Sequence, residues 1–202
     1  MNTKVFFVKI KRRIIQHIIL PMIQGSRNTK YKLLSSCLYV VGKPKRHQPA
    51  ILKGDGRIIF GMQVNIGIPS SPAFFTTYAY IDARKKHSVI LIKDHVWINN
   101  NACLISEGEG ITIGSNVLIG TNFNAYDSDF HELRADRRIG GNPKTAPIII
   151  EDNVFIGSNV TVLKGVTIGR NAVIANGSLV TKSIPNDVIA GGVPCKVLKS
   201  LI

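Results

Sequence analysis

The densest run of chemistry-bearing side chains in this sequence is Tyr126-Asp127-Ser128-Asp129-Phe130-His131-Glu132-Leu133-Arg134, continued by Ala135-Asp136-Arg137-Arg138. It sets one imidazole among carboxylates and three arginines. Histidine is the side chain whose ordinary titration lies nearest to neutral pH, so it suits general acid–base work. Asp129, two residues before His131, can orient the ring or accept a hydroxyl. Asp127 and Arg134 are read as contacts to the molecule that receives the group. A long loop carried on a rigid scaffold is where such chemistry concentrates. The scaffold must therefore be identified.

It is written in a period of six. From Ile150 to Pro185 the chain cuts into IEDNVF, IGSNVT, VLKGVT, IGRNAV, IANGSL and VTKSIP. Ile150, Ile156, Val162, Ile168, Ile174 and Val180 open the blocks. Val154, Val160, Val166, Ala172, Ser178 and Ile184 sit four places later. An α-helix repeats its apolar face every 3.6 residues and cannot hold that period. A short strand followed by a tight turn can, and the Gly and Asn between the aliphatics accept the turn's positive φ. Three blocks make one triangular coil, and coils stack by parallel pairing about 4.8 Å apart. The period predicts an all-β parallel β-helix. Earlier blocks start raggedly at Gly54, are interrupted by Pro69-Ser70-Ser71-Pro72 and by Phe74, Phe75, Tyr78 and Tyr80, and resume at Ile92. A small insertion follows at Ser106–Gly110. The register breaks at Ala125 and recovers at Ile150, so His131 lies in the largest break. The aromatics have two readings, stacking on a sugar ring or capping the open end of the coil.

These blocks, with the tail Asn186-Asp187-Val188-Ile189-Ala190-Gly191-Gly192-Val193-Pro194-Cys195-Lys196-Val197-Leu198, resemble the hexapeptide-repeat acyltransferases that use acetyl-CoA. The likeness is greatest to sugar O-acetyltransferases of the galactoside, maltose and surface-polysaccharide type, from about residue 90 to 199. It implies a left-handed coil, a homotrimer with sites between subunits, and His131 as the base for a sugar hydroxyl. It also implies that Asn100 faces that histidine and contacts the acceptor, within the run Asn99-Asn100-Asn101 whose register can slip by one. Ser158, Asn176, Thr181, Lys182, Lys196 and Lys199 are the implied acetyl-CoA contacts, the two last lysines near its phosphates. No metal is implied. The hydroxyl is expected to attack the thioester directly, because no Cys or Ser stands with a base. A sugar-amine or antibiotic acetyltransferase is the alternative within the class. A zinc carbonic anhydrase on the same repeat would need a histidine cluster that His95 and His131 do not make. A non-catalytic scaffold would need neither the histidine loop nor the tail.

The chain divides into residues 1–50, a basic and helical segment with a linker; 51–185, the β-helix with its loop at 126–147; and 186–202, a donor-binding tail. The net charge is +14, with 26 Lys and Arg against 12 Asp and Glu. Such a charge suits an anionic partner. No nucleic-acid motif is present. An amphipathic helix over roughly 4–20 has two readings: docking on an anionic membrane, or packing on a neighbouring coil or subunit. Its apolar run is too short to span a bilayer and no signal-peptide cleavage site follows. Three scattered cysteines, Cys37, Cys103 and Cys195, make no disulfide framework, so a cytoplasmic location is expected, with peripheral contact to the inner membrane face under the first reading. His17, His47 and His95 are assigned to the surface.

Overall fold

The computed structural model describes residues 3–202; Met1 and Asn2 of the segment 1–50 lie outside it. Its body is a left-handed parallel β-helix of six coils. The first coil comprises Tyr39–Val41, Lys45–Arg46 and Ala50–Lys53. The second comprises Arg57–Phe60, Asn65–Ile66 and Ala79–Ala83. The third comprises Val89–Ile92, Trp97–Ile98 and Cys103–Ser106. Ile111–Ile113, Leu118–Ile119 and Asn124–Tyr126 form the fourth. Ile148–Ile150, Phe155–Ile156 and Thr161–Leu163 form the fifth, and Thr167–Ile168, Val173–Ile174 and Leu179–Val180 the sixth. Corresponding strands of successive coils pair in parallel, giving three sheets. Val188–Gly191 extends the second sheet, and Lys196–Ser200 closes it with an antiparallel pair.

The six-residue period works because each block sends one aliphatic inward in the same register as the coil below. In the first sheet Phe60, Ile92, Ile113, Ile150 and Ile168 stack in line. In the second, Ile66, Ile98, Ile119, Ile156 and Ile174 do so. In the third, Leu52, Ile81, Leu104, Ala125, Val162 and Val180 follow suit. All are buried. Each fully buried aliphatic contributes about 1.5–3 kcal/mol, so these ladders carry the fold.

Polar side chains at the corners are spent on neighbouring coils. Asn101, Asn122 and Asn159 hold positive φ and pass one side-chain hydrogen bond up the stack, Nδ2 to Oδ1, at 2.9 and 2.8 Å. Gly120 must lack a Cβ, since one would lie 2.6 Å from the Gly157 carbonyl carbon.

Two boundaries move. The β-helix starts at Tyr39, so Gly42-Lys43-Pro44-Lys45-Arg46 is a corner and strand of the first coil, not a linker. The N-terminal helix is also longer than the 4–20 expected: Thr3–Ile14 is α-helical, Ile15–Ile19 a π-turn, and Leu20–Leu33 α-helical again. Pro21 explains the interruption. Its ring would collide with the carbonyl four residues earlier in a regular helix, and a wider π-turn relieves it. The aromatic interruption turns out to hold this helix. Tyr78 packs on Tyr31 with ring centroids 4.7 Å apart, and buried Phe74 meets Phe75 edge-on at 5.0 Å. His47 is half-buried and stacks on Trp97 at 6.0 Å, which corrects its assignment to the surface.

Candidate active site

The fourth coil ends at Tyr126, and the chain leaves the stack until Pro147. Asp127 anchors the departure. Its carboxylate is wholly buried and accepts from Ser106 Oγ at 2.6 Å and from the backbone N–H groups of Glu107, Gly108 and Gly110 at 2.8–3.1 Å. That corrects the assignment of Asp127 to an incoming molecule: its oxygens are inaccessible and hold the neighbouring insertion together. The loop base is closed by a bridge between Ser128 and Thr145, by Asp129 N–H to the Lys144 carbonyl at 3.0 Å, and by Ala146 N–H to the Asp127 carbonyl at 3.0 Å.

Beyond the base the backbone is forced. Phe130 has φ of +60°, a region that a bulky side chain rarely enters. It is held there from several sides. Its N–H donates to Ser128 Oγ at 2.9 Å, and Ser128 donates to Glu107 Oε2 at 3.1 Å. Its ring meets Tyr126 edge-on at 5.7 Å, and the Arg84 guanidinium lies 5.1 Å from its centroid. Arg84 also bridges Asp82 and Glu107 at 2.9 and 3.0 Å. Burial alone would lower the Arg84 pKa, but the hydrogen bonds to these two carboxylates outweigh it and raise it, so the group stays a cation. Burial pushes the Tyr126 phenol up to about 12. The neutral hydroxyl donates to Asn124 Oδ1 at 3.0 Å.

His131 follows directly and is exposed. Its Nδ1 lies 3.2 Å from the Arg138 carbonyl oxygen. A carbonyl can only accept, so this contact puts the proton on Nδ1 and leaves Nε2 with a free lone pair. Asp129 does not orient the ring, contrary to expectation. It pairs with Lys164 Nζ at 2.6 Å, because strand 124–126 lies in register with 161–163 and brings Lys164 to the same corner. Arg134, read as an acceptor contact, is paired with Asp136 at 2.9 Å at the surface. A cleft of about 380 Å³ opens in the same loop, lined by Asp129, Glu132, Leu133, Arg134, Arg137, Asn142 and Lys144 but not by His131. Arg137 and Lys144 make none of the salt bridges among the described residues. A larger cavity, about 510 Å³, lies at the first coils, well removed in the stack from this loop.

Asn100 is fully buried and points into the fold. Its amide holds the Pro69–Pro72 turn, accepting from Ile68 N–H at 3.0 Å and donating to the Ile68, Ser71 and Pro72 carbonyls at 2.9–3.2 Å. This corrects its assignment to a substrate. Asn99 is half-buried instead and lines an apolar cleft of about 360 Å³ with Ile68, Trp97, Leu118 and Phe155. The block register carried the signal: Asn101 matches Asn122 and Asn159 in the left-handed slot, which leaves Asn100 to turn inward.

The residues read as donor contacts do not converge within one chain. Ser158 and Asn176 share a corner: Ser158 Oγ accepts from Thr121 N–H at 3.3 Å, and Asn176 Oδ1 accepts from Ser158 N–H at 2.7 Å. Asn176 thus spends its oxygen on the stack. Thr181 and Lys182 are exposed at the next corner, above Lys164, and Lys196 and Lys199 are exposed on the closing strand. The residues that sequence reasoning missed are Lys164, Arg84, Glu107 and the Arg138 carbonyl. Nothing in a linear pattern pairs positions 21 to 35 residues apart, or predicts a backbone acceptor. Cys37, Cys103 and Cys195 all have their thiols pushed up by burial, which disfavours the nucleophilic thiolate. Among the described residues no cluster of His, Cys, Asp and Glu is arranged to hold a metal ion.

A family model described as "Hexapeptide repeat of succinyl-transferase" matches residues 147–182. The galactoside O-acetyltransferase of Escherichia coli strain K12 is 41% identical over 114 residues, which cover 56% of this chain and 55% of that protein. The aligned part of the chain spans roughly half to three fifths of the curated relatives it matches. A solved hexapeptide-repeat-containing acetyltransferase from Vibrio cholerae is 30% identical, with a TM-score of 0.56, covering 89% of this chain and 81% of that one. The same protein solved with acetyl coenzyme A matches at 28% identity and a TM-score of 0.53, covering 96% and 84%. With the six-residue period realised as six stacked coils, and this likeness extending over most of both chains, the protein belongs to the hexapeptide-repeat acetyltransferase family.

Proposed function

We propose that this protein transfers an acetyl group from acetyl-CoA to a hydroxyl of a sugar, with His131 as general base. The observation that carries the reading is the Nδ1 contact to the Arg138 carbonyl, which leaves Nε2 of an exposed imidazole ready to accept a proton. In the step, the acceptor O–H gives its proton to Nε2 while the oxygen attacks the thioester carbonyl carbon. The C–S bond of the tetrahedral adduct then breaks, and the imidazolium returns the proton to the departing CoA sulfur. Acetyl ester and CoA–SH are the products, and no other reactant is consumed. The raised thiol pKa values of the three cysteines agree with direct attack rather than an acyl-cysteine.

The acceptor class rests on kinship with a galactoside O-acetyltransferase, and the donor on kinship with a protein solved with acetyl-CoA. The dispersal of Ser158, Thr181, Lys182, Lys196 and Lys199 over two corners and the last strand fits a site completed by a neighbouring copy in a homotrimer. In that arrangement Arg137 and Lys144, which make none of the salt bridges among the described residues, meet the acceptor, and the exposed lysines meet the donor. Surface-polysaccharide assembly at the cytoplasmic side of the membrane is the setting we favour. No described helix is long and apolar enough to cross a membrane. The test is CoA release from acetyl-CoA by the purified protein with free glycosides, nucleotide sugars, polysaccharide fragments and amino sugars, alongside light scattering. Acetylation of a sugar hydroxyl by a particle near three times 22.1 kDa supports the reading. Turnover only with amines, or a monomeric active species, overturns it.

A further inference from the structure

The positive charge of this chain is lopsided. Residues 1–54 contain twelve of the 26 Lys and Arg and none of the 12 Asp and Glu. The other fourteen basic residues share residues 55–202 with all twelve acids, so the rest of the chain is nearly neutral at +2. Neutral packing of a β-helix cannot be the reason for a segment this one-sided, since the coils below it manage without one.

The same segment exposes aliphatic side chains. Val8, Ile10, Ile14, Ile18, Ile19, Met22 and Ile23 all face solvent, with Met22 69% and Ile18 54% accessible. No residue of Ile15–Leu33 is buried. Lys9, Lys11, Arg12 and Arg13 are interleaved with them, the last three in the closing turn of Thr3–Ile14. The far end of the helix is tied to the body. Gln24 donates to the His47 carbonyl at 2.6 Å, Arg27 to the Phe74 and Thr77 carbonyls at 2.9 and 2.7 Å, and Asn28 to the Arg46 carbonyl at 3.1 Å. These polar contacts fix one end and leave the aliphatic stretch outward. Exposed apolar surface rimmed by charge marks an interaction site.

A second feature stands at the base of the same helix. A pocket of about 420 Å³ is lined by Asn28, Thr29, Lys32, Gly42, Lys43, Pro44 and Arg46. It has three cationic side chains and no carboxylate. Burial lowers the Arg46 pKa, and Arg46 makes none of the salt bridges among the described residues. A half-buried guanidinium beside two lysines, without an anion, is a ready seat for a phosphate.

We infer that residues 8–23 lie on an anionic bilayer surface, with their aliphatic side chains in the headgroup–acyl boundary and a lipid phosphate in the pocket of Lys32, Lys43 and Arg46. Two other partners are less well matched. Nucleic acid would use the charge but not a run of exposed Ile and Met. A second copy would bring the same twelve positive charges against these, with no acid in the segment to offset them. Bilayer docking uses both the charge and the aliphatics, as interfacial helices do. The inference goes beyond the acetyl-transfer reading and does not depend on it.

The experiment is vesicle co-sedimentation of the full chain without acetyl-CoA or sugar, so its outcome is separate from catalysis. Vesicles of phosphatidylcholine alone are compared with vesicles containing phosphatidylglycerol, at low and high salt. Binding at least about tenfold stronger to the anionic vesicles, and weakened by salt as the Debye length shrinks, is expected. Ile14→Ser with Ile18→Ser and Met22→Ser changes only exposed positions. It should reduce binding about tenfold or more while circular dichroism and the melting temperature stay unchanged. Lys32→Ser with Lys43→Ser should weaken phosphatidylglycerol binding and flatten its salt dependence. Equal binding to both vesicle types overturns the inference. So does binding to DNA with none to vesicles, self-association through the triple-Ser positions with none to vesicles, or undiminished vesicle binding by the triple-Ser variant.

Discussion

The corner built by Asn101, Asn122 and Asn159 and the loop at 127–147 both leave the same kind of coil, but they use polar side chains in opposite ways. At the corner the asparagines spend their amides on one another, Asn101 donating to Asn122 and Asn122 to Asn159, so the turn is tied from coil to coil. In the loop the buried members are spent likewise, Asp127 on four donors and Ser128 on Glu107 and Phe130, but the outer members are not. His131 keeps one nitrogen free, and Arg137 and Lys144 have no carboxylate partner among the described residues. Satisfied polar groups are therefore concentrated in the stack and at the root of the loop, and groups with hydrogen-bonding capacity to spare at its outer turn, where our proposal puts the reaction. Mutations should separate the two.

The largest expected effect is at His131. His131→Ala should lower kcat for acetyl transfer by about 10²–10⁴-fold, the usual cost of a lost general base. It should leave the melting temperature in place, because the side chain is exposed. A rate within about threefold of the parent would move the base elsewhere and erase the contrast. Asp127→Ala should do both kinds of damage. It leaves a buried hydroxyl and three backbone N–H groups without their acceptor, costing roughly 2–4 kcal/mol. Thermal unfolding should then fall by roughly 4–16 °C. A variant that melts with the parent would mean the root of the loop is not held by this carboxylate.

Smaller effects sharpen the boundary. Asn122→Ala places a Cβ-bearing residue without a local hydrogen bond at φ of +57° and should cost about 1 kcal/mol, with the rate unchanged. Asn122→Gly should recover most of that loss. Asp129→Asn should slow turnover by less than about tenfold, since Lys164 and not His131 is its partner. A loss as large as that of His131→Ala would return Asp129 to the catalytic pair. Least of all, Cys103→Ser with Cys195→Ser should leave kcat within about twofold. A raised thiol pKa means less thiolate at a given pH, so alkylation of the native thiols should be slow near neutrality and quicken as pH rises.

How far the sequence could be read follows from the same contrast. Ile150, Ile156, Val162, Ile168, Ile174 and Val180 all stand in the core, as the period requires. The block register even held the answer for Asn99 to Asn101, since position four is the left-handed slot. The first coil was harder to see. Tyr39–Val41 and Lys45–Arg46 lack the repeated aliphatic–Gly pattern, and only parallel pairing to Arg57–Ile59 and Asn65–Ile66 makes them part of the stack. The fate of the aromatics was hidden for a related reason: Tyr78 has its partner in Tyr31, 47 residues earlier, across the docked helix.

The sequence by itself determined the architecture, because a six-residue period is a local property: each block's inward aliphatic and turn residue can be judged without its neighbours in space. It also singled out the break carrying His131 as the candidate place for chemistry. The tertiary structure alone decided which of the loop's groups are free. Asp127 and Asp129 are two residues apart and chemically alike, yet the first is sealed under the insertion at 106–110 and the second meets a lysine from the next coil. Whether a carboxylate is an anchor or a contact depends on which donors surround it. Those donors come from other coils, at separations fixed by the lengths of the excursions and not by the repeat.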